Sequence, residues 1–166
     1  TLCYWANFKY RWRQITLMND ANANNPDGNI IFSGTKEVAE NLKFNQSCLQ
    51  EWLGDSVPSA GKIIKIAQFK GGQSNPTYKI LTEKKEFVLR RKPPGILLPS
   101  AHAVEREYKV MTALKNTTVP VPKTYGLCED EDVIGTSFFV MDFLDGNIYW
   151  DLLLEDKSVE ERKTIY

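Results

Sequence analysis

Hydrophobic and polar positions change period several times along the chain, and each change marks an element. Asn45 followed by Leu49, Trp52 and Leu53, then Gly54, predicts a short amphipathic helix over about 45–53 with an Asn cap and a Gly stop. The run Ile63-Ile64-Lys65-Ile66-Ala67-Gln68-Phe69 is β-branched and strand-like. Thr77-Tyr78-Lys79-Ile80-Leu81 and Glu86-Phe87-Val88-Leu89-Arg90 repeat that character, with Glu83-Lys84-Lys85 as a short polar turn between them. Strands joined so closely favour an antiparallel meander.

At Ser100 the period lengthens. Val104, Tyr108, Met111 and Leu114 fall on one arc of a helix over about Ala101–Lys115, with Ser100 as its N-cap. Val119-Pro120-Val121-Pro122 cannot continue it. A short segment Thr124–Cys128 follows, then an acidic turn, Glu129-Asp130-Glu131-Asp132, and a buried-looking strand, Ser137–Phe143. Ser158-Val159-Glu160-Glu161 is a capping box that starts a further helix. The expected fold is α+β: a five-stranded antiparallel sheet with one packed helix, preceded by a helical extension. The order of strands and helix is that of the N-lobe of a protein-kinase-like fold.

Asn19–Gly34 is rich in Asn, Asp, Gly and Pro, so residues 1–34 are expected to form a poorly structured extension. Residues 35–144 form the expected lobe, and 145–166 a linker with the start of the next lobe's first helix. Because the chain stops about two turns into that helix, the second lobe is expected to lie outside these residues.

Composition narrows the function. The 21 basic and 21 acidic residues cancel, which removes the electrostatic reason to expect nucleic acid or an anionic membrane as partner. No run approaches the length of a membrane span. Cys3, Cys48 and Cys128 form no CxxC pair and His102 is the only histidine, so a tetrahedral zinc site has no ligand set and the thiols are expected to be reduced, as in an intracellular protein.

Candidate chemistry lies in three places. Between the first two strands stands Lys70-Gly71-Gly72-Gln73-Ser74-Asn75-Pro76, whose glycines leave the backbone bare; such a loop can turn N–H groups toward phosphate, and equally serves as a hairpin turn. It is neither a Walker A loop nor GxGxxG. The third strand ends in Val88-Leu89-Arg90, placing a cation where V-A-I-K has its lysine, on the same face as Val88. Taking Val104 as zero, Glu107 lies at roughly −60°, inside the apolar arc, and Glu105 at roughly +100°, at its margin. A carboxylate on a buried face needs a partner, and Arg90 would complete a strand-to-helix ion pair. Asp142-Phe143-Leu144 looks like D-F-G but has no catalytic loop before it; Met141–Leu144 is instead the expected connector between lobes, where backbone groups meet an adenine ring.

These segments, together with Arg90–His102, Glu105-Arg106-Glu107-Tyr108 and Val133-Ile134-Gly135-Thr136, resemble one family from about Asn41 to Tyr166. It is the aminoglycoside phosphotransferase-like domain of the kind that precedes the dehydrogenase in acyl-CoA dehydrogenase family members ten and eleven.

The resemblance implies a kinase-like fold that binds ATP and magnesium and phosphorylates a hydroxyl, in this subgroup that of a 4-hydroxyacyl-CoA. It implies nucleotide contacts at Gly71, Gly72, Gln73, Ser74, Asn75, Arg90, Glu107, Met141 and Phe143, with arginine at position 90 departing from the wider fold's lysine. It implies that the small hydroxylated substrate binds through the second lobe, and a peroxisomal or mitochondrial location. The His-Gly-Asp catalytic loop and the metal aspartate have no counterpart here, so the 166 residues alone are expected not to transfer phosphate. Two other readings stand beside this one: a kinase-like module that binds without catalysis, and a segment whose protein acts through a dehydrogenase domain elsewhere.

Overall fold

A computed structural model of the chain describes residues 34–71, 74–98, 101–146 and 153–165. The expected loose extension falls outside the described residues except at Gly34.

Alternation builds the sheet. In β3 (Thr77–Thr82), Tyr78, Ile80 and Thr82 are buried on one face and alternate with Thr77, Lys79 and Leu81. β2 (Ile63–Phe69) and β4 (Glu86–Arg91) flank it antiparallel, with Lys79 opposite Ala67 and Val88. Thr82 closes the β3–β4 turn: its hydroxyl donates to the Lys85 carbonyl at 2.7 Å and accepts from the Lys85 N–H at 3.1 Å. β5 (Thr124–Cys128) and β6 (Phe138–Asp142) complete the sheet, β6 pairing with β4 so that Arg90 lies opposite Phe139.

The sheet has six strands rather than five, in the order β1-β2-β3-β4-β6-β5. The extra one, β1 (Thr35–Lys36), pairs with Phe69 and Gln68 at the sheet edge. Two residues carry no alternation, so sequence periodicity has nothing to register.

Helices cover both faces, where the pattern predicted one packed helix. α1 (Gln46–Ser56) starts as expected, with the Asn45 side chain accepting from the Ser47 and Cys48 N–H groups. It runs past Gly54 to Ser56, because the buried Leu53 and Val57 dock its last turn and outweigh the glycine's cost of about 1 kcal/mol. Leu49 and Leu53 are 0% exposed and join Tyr78, Ile80, Phe87, Leu89, Phe138 and Val140 in the larger core, on what we term the back face. Trp52 packs edge-on against Phe138, 4.7 Å between ring centroids, and Gly126 makes room for it.

α2 (Val104–Leu114) packs on the front face through Val104 and Met111, against Val88, Phe139 and Met141. The helix begins three residues after the predicted Ala101. Its cap position is Ala103, with φ −72° and ψ 81°, and the Val104 N–H donates to the His102 carbonyl in an inverse γ-turn. No side chain caps it, and Ser100, the predicted cap, lies outside the described residues. The acidic turn after β5 is a single-turn helix, α3 (Glu131–Ile134), capped by Asp130 and closed by Gly135 at φ +86°. α4 (Val159–Ile165) opens with the predicted capping box: the Ser158 N–H donates to Glu161 Oε2 at 2.8 Å, and the Glu161 N–H to Ser158 Oγ at 3.2 Å. Among the described residues no helix is long and apolar enough to cross a membrane.

Candidate functional site

Three consecutive cations end β4 or follow it, and the pleat sends them apart. Arg90 projects to the front face. Its Nε donates to Glu107 Oε2 at 2.5 Å and its Nη2 to Glu107 Oε1 at 3.3 Å, so the fork of the guanidinium meets both carboxylate oxygens. Its Nη1 reaches Thr77 Oγ1 at 3.0 Å and the Asn75 carbonyl at 3.4 Å. The predicted strand-to-helix ion pair is therefore present, and it also grips the end of the glycine-rich connection.

Lys92, two residues on, pairs with Glu105 in the same helical turn as Glu107. The helical wheel left Glu105 at the margin; a cation from the strand end draws it in. Burial pushes the Glu105 carboxyl up, but the Lys92 ammonium and a backbone hydrogen bond outweigh that and hold it below its usual value.

Arg91 goes to the back face and is 3% exposed. Its Nε donates to Thr136 Oγ1 at 2.9 Å, and its guanidinium stands 5.5 Å from the Phe44 ring centroid. Burial lowers its pKa, opposed by the neighbouring Tyr78. Nothing in the run Arg90-Arg91-Lys92 marks which cation would be buried; only the register of β4 decides.

The connection itself contributes Asn75, 3% exposed. Its Nδ2 donates to Glu107 Oε1 at 2.9 Å, and its Oδ1 lies 3.0 Å from His102 Nδ1. Ser74 is exposed and Gly71 half-buried, while Gly72 and Gln73 lie outside the described residues. Met141 is buried in the front-face core, in register with Val88. Phe143, just past β6, stacks on Phe69 with ring centroids 6.3 Å apart, and the Lys79 ammonium sits 3.8 Å over its ring. Lys79 is also 2.8 Å from Glu86. Neither Lys79 nor Phe69 was expected at the site, although alternation in β3 and the end of β2 point both toward it.

The connector is held from behind. Asp142 accepts from Tyr125 at 2.7 Å and from Lys85 at 2.6 Å. Burial opposes the charge on Lys85, yet these two partners raise its pKa overall.

The front face thus gathers three cations, Arg90, Lys79 and Lys92, each paired with a carboxylate, and the stacked rings of Phe69 and Phe143. Among the described residues no group of three His, Cys, Asp or Glu side chains is placed to hold a metal ion, and both Glu107 oxygens are engaged by Arg90 and Asn75.

Comparison with known proteins accords with this geometry. The profile of the phosphotransferase enzyme family, APH, matches residues 65–166. Mouse acyl-CoA dehydrogenase family member 10 is 43% identical over 134 residues, covering 80% of this chain and 12% of that protein. Human acyl-CoA dehydrogenase family member 11 is 40% identical over 141 residues, covering 81% of this chain and 18% of its own length. A crystal structure from Ralstonia eutropha, assigned to the aminoglycoside phosphotransferases, superposes with a TM-score of 0.61 at 44% identity, over 72% of this chain and 34% of that one. The chain belongs to the phosphotransferase enzyme family and is a kinase-like domain. It spans less than a fifth of the two acyl-CoA dehydrogenase family members.

Proposed function

We propose that this lobe binds ATP and forms the nucleotide half of a phosphotransferase that acts on a hydroxyl. The observation that carries the reading is the Arg90–Glu107 pair, which fixes a guanidinium on the front face beside the glycine-rich connection. A cation held there in one rotamer meets phosphate oxygens without first losing side-chain freedom. Gly71–Asn75 would offer backbone N–H groups to the same phosphates, and Met141 and Phe143 would line the base. Glu107 orients Arg90. Magnesium, when bound, would neutralise charge on the phosphates, and no residue described here is assigned to hold it.

The acceptor we propose is a hydroxylated acyl-CoA. Support comes from relatives that carry this region in acyl-CoA dehydrogenase family proteins.

Photo-crosslinking with an azido-adenine analogue of ATP tests the placement. Labelled peptides should contain the Phe69–Lys79 stretch or Met141–Phe143, and excess ATP should abolish the label. Labelling confined to the back-face helix Gln46–Ser56 would contradict the reading.

A further inference from the structure

His102 is the chain's only histidine, and it adopts φ +56°, in the left-handed region that side chains rarely enter. Leu154 is the other non-glycine residue described in that region. Strain of this kind persists where surrounding contacts fix it. Here the contact is visible: His102 Nδ1 lies 3.0 Å from the Oδ1 of buried Asn75.

The direction of that hydrogen bond follows from its neighbours. Glu107, paired with Arg90, presents only acceptors, so Asn75 must turn its NH2 group toward Glu107 Oε1. Asn75 Oδ1 then faces His102, and the ring must carry its proton on Nδ1. A directed chain results, from His102 to Asn75 to Glu107. It ties the segment before α2 to the shoulder of the glycine-rich connection and to the carboxylate that holds Arg90.

We infer that His102 and Asn75 are positioning residues. They lock the shoulder Ser74–Pro76 onto α2, so that the shoulder's backbone and the Arg90 guanidinium are presented to a nucleoside triphosphate as one rigid unit. The Asn75 side chain is engaged by the protein on both sides, so its part in this unit is to hold the backbone in place. His102 touches Asn75 and acts through it. The inference rests on the nucleotide-binding reading above.

Two substitutions separate the side chain from the backbone. Glycine tolerates φ +56° and removes the donor, so His102→Gly folds without strain yet breaks the chain of hydrogen bonds. Asparagine also tolerates the left-handed region and keeps an N–H near the Nδ1 position, so His102→Asn is the conservative variant.

The experiment measures three things on the wild type and both variants: affinity for ATP, affinity for adenosine, and hydrogen exchange in peptides covering Ser74–Thr77. In His102→Gly, ATP affinity should fall about three- to tenfold, the loss of one ordinary hydrogen bond, with adenosine affinity unchanged and exchange faster. His102→Asn should restore both. Wild-type behaviour of His102→Gly would overturn the inference, as would failure of His102→Asn to rescue. Equal losses for ATP and adenosine would also overturn it, since that outcome marks a general structural role. If the wild type binds neither ligand, the nucleotide reading fails by itself, and the exchange data still decide whether His102 locks the shoulder. A 15N spectrum at alkaline pH should show the Nδ1–H tautomer; the Nε2–H tautomer would contradict the proposed direction.

Discussion

Arg90 and Glu107 are joined twice, from Nε to Oε2 at 2.5 Å and from Nη2 to Oε1 at 3.3 Å, across a strand and a helix that share no local sequence. Both side chains are mostly buried, so removing one charge strands the other. Glu107→Gln should therefore destabilise the domain by about 1–3 kcal/mol in urea unfolding. A neutral effect would mean that the pair merely decorates the surface.

That pair was legible in the sequence because two independent periodicities point at it. Strand alternation puts Arg90 with Val88, and helical spacing puts Glu107 among Val104 and Met111. The Asn45 cap and the Ser158–Glu161 box were legible for a similar reason, since their partners lie within three residues. What escaped is set by tertiary register or by loops. Asn75 lies 32 residues from Glu107 in sequence and 27 from His102, and no pattern links them. Arg91 is buried only because β4 is central, and β1 is too short to alternate. Ser100 looked like a cap because serine favours that place, but the turn at Ala103 decides where the helix starts.

The back-face helix is part of the domain rather than an appendage, and its seat depends on one glycine. A Cβ at Gly126 would stand 3.1 and 3.2 Å from two carbons of the Trp52 ring. Trp52 is also held against Phe138, so it cannot easily give way. Gly126→Ala should cost about 1–3 kcal/mol and change the Trp52 fluorescence environment. An unchanged denaturation midpoint would show that α1 docks loosely.

Acid should weaken the second strand-to-helix pair. The folded-state pKa of Glu105 is depressed, because Lys92 and a backbone hydrogen bond overcome burial. The stability it adds is present above the ordinary glutamate pKa of about 4.3 and is lost as pH falls through the lower folded value. Melting temperatures of the wild type and Glu105→Gln should therefore differ by a constant amount near neutrality and converge below about pH 4. Curves that stay parallel down to the acid limit would contradict the assignment.

We propose that the front face binds ATP through Arg90. Calorimetric titration of ATP and of adenosine into the wild type and Arg90→Ala tests it most directly. Arg90→Ala should lose about tenfold or more in ATP affinity, the scale of a charged hydrogen bond, with adenosine affinity nearly unchanged and Glu107→Gln intermediate. Equal ATP affinity in the wild type and Arg90→Ala would contradict the account.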